Sequence, residues 1–150
     1  MRYRVFALAV AGFLVVASFT ALVLVFIGKQ HLRNLETTCE RIGRWAKEQP
    51  LAPGSYPQIG LPAAISPPPG SQVNVVKTSQ GDIVVLLKTD IGWKENYDGV
   101  LFSTRPLSPA DVSKDYYGRE QVEIPGIDSS RPVIKERITP QFFRVYFDLG

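Results

Sequence analysis

The chain has 150 residues and a formal net charge of +3. Arg2 and Arg4 contribute +2, residues 29–49 another +2, and everything beyond them sums to −1. The folded part therefore lacks the basic excess of a nucleic-acid surface, and the single cysteine, Cys39, excludes a disulfide-stapled module.

Val5 to Ile27 is a run of 23 residues without a charge. About 20 such residues span the hydrocarbon core of a bilayer as a helix. Its hydroxyls, Ser18 and Thr20, can bond back to the helix's own carbonyls. A signal peptide carries an apolar run of about 7–15 residues before its cleavage site; this run is longer, so an uncleaved signal-anchor is expected. Ala9, Gly12, Ala17 and Ser18 form a face of small residues that lets membrane helices approach closely. Lysine and arginine are nearly balanced at the two ends of the span, with Arg2 and Arg4 before it and Lys29, Arg33 and Arg41 after it. The positive-inside rule alone leaves the orientation near a tie.

From Lys29 to Gln49 the apolar residues Leu32, Leu35, Cys39, Ile42 and Ala46 recur at spacings of 3, 4, 3 and 4. This is the seam of an amphipathic helix, with Trp45 on its flank and Glu40 and Arg44 set for an i,i+4 ion pair. The seam is open to two uses: packing on the chain's own domain, or coiled-coil contact with a second protein. Cys39 reads as a small buried apolar residue, with an intermolecular disulfide as the alternative. Pro50 ends the helix. Residues 50–71 are rich in proline and read as an irregular connector that buries Tyr56, Ile59, Leu61 and Ile65.

β-pattern begins at Gln72. Val73 to Val76 and Ile83 to Leu87 flank Thr78-Ser79-Gln80-Gly81 and predict a hairpin. Ile83 to Leu87 is apolar on both faces, so it is expected to be a central strand covered on both sides, or by a helix on one and by loops on the other. Further strands are expected at 99–103, 122–124, 133–137 and 142–149. A helical turn is expected at 108–114, opened by Ser108 and Pro109. The predicted fold is α+β: a transmembrane helix continuing into an amphipathic helix that packs on a small antiparallel β-sheet. The chain divides into an anchor (1–28), a juxtamembrane helix (29–49), a connector (50–71) and a β-domain (72–150).

Catalytic chemistry finds no footing. One histidine, His31, and one cysteine cannot build the usual zinc or His–Cys sites, and no phosphate-binding loop or nucleophile elbow occurs. No enzyme activity, cofactor or metal is expected. Asp90, Glu95, Asn96 and Asp98 share a loop, but Lys94 stands at the first position of the calcium-type frame, so a solvated turn is expected. Trp93, Tyr97, Tyr116 and Tyr117 lie on or beside loops and form a candidate ligand surface; capping a small core is the other reading of these aromatics.

A membrane helix running into Ile42 to Gln49, then Gly54-Ser55-Tyr56-Pro57 and Leu61-Pro62, then an antiparallel sheet, resembles the type IV pilins and type II secretion pseudopilins. The resemblance implies a cytoplasmic N-terminus, a periplasmic or extracellular domain, and a seam shared between the sheet and neighbouring subunits. The chain departs from the family's pattern at its start: Gly12-Phe13 is the nearest match to the processing site, the leader before it is apolar, and Ala17 stands where pilins carry glutamate. The expected role is a non-enzymatic structural or accessory subunit of a membrane or cell-envelope complex. Its partners would be the bilayer and another membrane protein or a second copy of the chain, with no nucleic acid. The alternative is a membrane-tethered module for a small ligand or carbohydrate.

Overall fold

The protein is described by a computed structural model covering residues 2–57, 59–89, 97–125 and 131–147, with main chain alone for 2–11 and Tyr97. The chain falls into two compact units, Met1–Asn34 and Leu35–Gly150.

One α-helix, α1, runs Arg2–Glu48. No proline interrupts it before Pro50, and apolar residues with good helix propensity fill its first half. In the first unit this is a helix long and apolar enough to cross a membrane. Phe13, Leu14, Phe19, Leu22 and Phe26 are all exposed, as a lipid-facing surface requires. Thr20 Oγ1 donates to the Val16 carbonyl at 2.9 Å, so this hydroxyl is satisfied within the helix.

The second unit joins the last turns of α1 to eight strands. These are β1 (Gly54–Pro57), β2 (Gln72–Lys77), β3 (Ile83–Thr89), β4 (Tyr97–Ser103), β5 (Val112–Lys114), β6 (Glu120–Val122), β7 (Pro132–Arg137) and β8 (Phe142–Phe147). They form one antiparallel sheet in the order β1-β2-β3-β4-β8-β7-β6-β5. Two meanders thus meet where β8 lies beside β4. The β2–β3 hairpin closes through Gly81, whose φ of +87° suits glycine; Thr78 N–H donates to the Asp82 carbonyl and Gly81 N–H to that of Thr78.

Every residue from Ile83 to Leu87 is buried, as expected of a strand covered on both faces. Ile83, Val85 and Leu87 point to one core with Val75, Val100, Phe102 and Phe142, closed by Leu35, Cys39, Ile42 and Ala46 of α1. Val84 and Leu86 point to a second core with Leu101, Phe143, Val145 and Phe147. Among the described residues no helix covers this second face, and the loop residues Leu107 and Ile124 supply part of its cover. The sheet curls, and Val122 and Ile124 from its far end pack back onto it. A register shift between Ile134 and Glu136 of β7 lies on the way, and such a bulge bends a strand and raises its twist.

Two glycines set close approaches. A side chain at Gly43 in α1 would meet Phe102 at 3.0 Å, so this position keeps the helix close to β4. A Cβ at Gly99 would meet the Leu87 carbonyl oxygen at 2.6 Å and Phe147 at 3.2 Å.

The structure extends the sequence reading in several places. The connector contributes an edge strand, β1, where an irregular segment was expected; its prolines are tolerated because an edge strand leaves one row of N–H groups unpaired. β5 was not expected, and β6 begins at Glu120 rather than 122. The helical turn is shorter than expected, a single 3-10 turn at Pro109–Asp111 preceded by Ser108. Gly99→Ala is expected to lower the stability of the sheet by about 2 kcal/mol, because main chain and not a flexible side chain must move. Thermal unfolding of the full chain in detergent measures this, and an unchanged midpoint would contradict the packing at β3 and β4.

Candidate functional site

The helix seam comes first. Leu35, Cys39, Ile42 and Ala46 are each at most 4% exposed and belong to the domain's own core. Of the two uses open to the seam, packing on the chain's own domain is the one realised. These four candidate partner-contact residues have their apolar surface packed with residues of β2, β3 and β4. Leu32, in the first unit, is half-buried. Among the described residues no ion pair joins Glu40 to Arg44; Arg44 is exposed and lines a shallow surface hollow with Arg41 and Trp45. The Cys39 thiol is free and buried. Burial, aided by the nearby charges of Glu36 and Glu40, pushes its pKa up to about 12. A thiol held neutral and covered does not offer an intermolecular disulfide.

The exposed aromatics are at the opposite end of the sequence pattern. Outside the membrane stretch, Tyr116 and Tyr117 are the large apolar side chains left open among the described residues, at 96% and 76% exposure. They sit at the tip of the β5–β6 hairpin with ring centroids 5.3 Å apart, edge to face. The turn beneath them is well specified. Asp115 Oδ1 accepts from the N–H groups of Tyr117 (2.9 Å) and Arg119 (2.8 Å). Gly118 takes a φ of +76°, and its N–H donates to the Asp115 carbonyl. Asp115 loses some ionisation to burial, but the bonds from Arg119 and Tyr117 outweigh this and hold its carboxyl below the usual range.

Arg119 carries this turn onto the sheet. Its Nε pairs with Asp115 and its Nη1 donates to the Tyr146 hydroxyl of β8. The guanidinium lies 5.0 Å from the Tyr117 ring centre and 5.4 Å from that of Tyr146, within cation–π range. Lys135 extends the row, pairing with Asp98 and lying over Tyr146. Arg119 and Tyr146 were not among the sequence candidates. Asp115-Tyr-Tyr-Gly118 does fit a type I turn with Asp first and Gly fourth, which is the local signal that the rings are thrust outward.

A second arginine anchors the segment leading into the hairpin. Arg105 Nη1 and Nη2 each reach Asp111 at 2.7 Å, and its Nε reaches Asp82 at 2.9 Å. Asp111 also accepts from Ser108 N–H (2.7 Å) and Oγ (2.6 Å). The fork from Arg105 is the largest of the influences that drive the Asp111 carboxyl well below its ordinary range, and Asp111 in turn raises Arg105. Because the pair is bidentate and Asp111 is only 13% exposed in its side chain, it is worth more than a solvent-exposed ion pair.

Among the remaining candidates, Trp93 lies outside the described residues, as do Asp90, Glu95 and Asn96 of the acidic loop. Tyr97 begins β4, and only its main chain is described. Ala9 is helical main chain, while Gly12, Ala17 and Ser18 are exposed on α1. Asp98 is engaged by Lys135. Among the described residues no group of three or more His, Cys, Asp or Glu is placed to hold a metal ion.

Fold and site together define an α+β protein with one N-terminal helix fit to span a membrane and an aromatic hairpin tip held by arginine. Comparison with protein-family models, with curated proteins and with solved structures finds no match.

Two outcomes are expected. Cys39 resists a water-soluble maleimide in the native protein and reacts once it is denatured; rapid native labelling at pH 7 would contradict its place in the core. Asp111→Asn costs about 2 kcal/mol at neutral pH. Because the folded carboxyl titrates below its unfolded value of about 3.9, this contribution is complete above that pH and is lost as pH falls through the folded value. The wild-type and variant unfolding curves should therefore converge in acid, and a gap that persists undiminished at pH 2 would overturn the assignment.

Proposed function

We propose that the chain is a single-pass membrane protein serving as a non-enzymatic structural or accessory subunit of a membrane or cell-envelope complex. The observation that carries this reading is the division of labour along α1. This helix is long and apolar enough to cross a membrane and exposes apolar side chains from Phe13 to Ile27, while its last turns close the core of a small domain. Such a chain fixes a folded domain to a membrane through one element. The arrangement of a long apolar N-terminal helix with an antiparallel sheet is compatible with a pilin-like subunit. That resemblance favours an N-terminus inside and a domain on the periplasmic or extracellular side. The bilayer is one partner, and a second membrane protein or a second copy is the other. Ala9, Gly12, Ala17 and Ser18 supply a face on which a neighbouring membrane helix can come close.

A second reading is favoured by one observation, the exposure of Tyr116 and Tyr117. Paired rings on an ordered turn suit a tethered module for a small ligand or carbohydrate, and amphipathic aromatics are also frequent at protein interfaces.

Mild-detergent purification of the full chain, followed by sedimentation velocity, separates these readings. The subunit reading predicts a species heavier than the detergent-bound monomer, containing a second membrane protein or further copies. A clean monomer overturns it. Retention of that monomer on a panel of immobilised oligosaccharides, lost in a Tyr116→Ala, Tyr117→Ala double variant of unchanged stability, would establish the second.

A further inference from the structure

The curl of the sheet leaves a half-open hollow of about 330 Å³ at its mouth, lined by Leu107, Pro109, Val112, Lys114, Glu120 and Arg137 together with Ser108 and Ser113. Ligand sites begin at about this volume. Its construction follows from strand register. Val112 pairs with Val122, and Lys114 with Glu120. Cross-strand partners, and residues two apart on one strand, share a face. Val122 belongs to the core inside the curl, so Val112, Lys114 and Glu120 face that same interior at its rim. Arg137 pairs in register with Phe143 of this core, and its guanidinium lies 5.6 Å from the ring centre. Leu107 packs against the same core. The hollow is therefore an apolar slot with three charges around its opening.

Those charges are unevenly matched. Arg137 donates through Nε (3.2 Å) and Nη2 (2.9 Å) to one oxygen of Glu120, Oε2. Its Nη1 donates to no described residue. Lys114 stands directly across from Glu120 in the register yet forms no ion pair among the described residues. Two cations against one carboxylate leave the rim with a surplus of one positive charge, beside an apolar wall of Leu107, Pro109 and Val112.

We propose that this hollow binds a small organic monocarboxylate. The carboxylate lies between Lys114 Nζ and Arg137 Nη1, and the apolar body rests on Leu107, Pro109 and Val112. A single negative charge matches the surplus, whereas a second would meet Glu120. A neutral analogue would satisfy the wall and leave Lys114 unmatched.

The full chain in lipid nanodiscs, labelled with nitrogen-15, is titrated with benzoate and, separately, with benzyl alcohol. Benzoate should give saturable amide shifts confined to Val112, Lys114, Glu120 and Arg137, and benzyl alcohol should bind about tenfold more weakly. Lys114→Gln should weaken benzoate by about fivefold. Glu120→Gln should tighten it by a similar factor by removing the competing carboxylate, a gain that a merely structural role for Glu120 does not produce. Lys114 is exposed and Glu120 half-exposed, so neither variant endangers the fold. Absence of saturable shifts, equal binding of the alcohol, or Kd values unmoved by both substitutions would each overturn the proposal.

Discussion

Five consecutive residues of β3, Ile83 to Leu87, are apolar and alternate between two faces. The rest of the domain is built around the need to cover both. Each such side chain is worth about 2 kcal/mol when fully buried, so this one strand brings a contribution comparable to the net stability of a typical domain. A half-exposed sheet would forfeit about half of it. On one face the cover is α1, whose seam of Leu35, Cys39, Ile42 and Ala46 drops onto Ile83, Val85 and Leu87. On the other face no second helix lies among the described residues, and the sheet curls until Val122 of β6 and the loop residues Ile124 and Leu107 pack in one core with Val84 and Leu86.

Bending a sheet this far brings its own requirements. The strands that close the curl are short, β5 and β6 having three residues each. Strands of that length carry too few apolar contacts to hold themselves in place. The polar network makes up the difference. Arg105 ties the turn before β5 to Asp82 at the start of β3, and Arg119 ties the β5–β6 hairpin to β8. The two arginines thus join the ends of the fold that the hydrophobic cores leave loosely connected.

This explains which parts were legible in the sequence. β3 announced itself through an unbroken apolar run, and the seam of α1 through its 3-4 spacing, because both signals are periodic and local. The turn at Ser108 and Pro109 was legible for the same reason. β1 was hidden by Pro53 and Pro57, which disqualify a central strand but not an edge. β5 and β6 were hidden by length, since three residues show no alternation. The Arg105–Asp111–Asp82 fork spans sequence separations of 6 and 23, and no window of residues reveals it. For the candidate site, Tyr116 and Tyr117 were visible as a pair, but their exposure depends on Asp115 and Gly118 shaping the turn and on Arg119 holding it down. The seam showed the opposite limit. Its spacing established that the face is covered, while the identity of the cover depended on sheet residues far along the chain, from Val73 to Phe142.

The burial of the seam also narrows what the chain can offer a partner. A row of apolar side chains on a helix can close a domain core or form a coiled coil, but the same atoms cannot be desolvated twice. With Cys39, Ile42 and Ala46 wholly enclosed, association through that face would first require the helix to leave the sheet, exposing Ile83, Val85 and Leu87 at a cost of several kcal/mol. Any contact made without unfolding has to draw on surfaces that folding leaves open. Among the described residues these are the apolar surface of the membrane stretch, the tyrosine-tipped hairpin and the charged rim of the curl. The first is an exposed apolar surface on a helix long and apolar enough to cross a membrane, and it includes small residues such as Gly12 and Ala17. The other two lie on the curled half of the sheet, on elements held by ion pairs more than by packing, so they can change in sequence without disturbing either core.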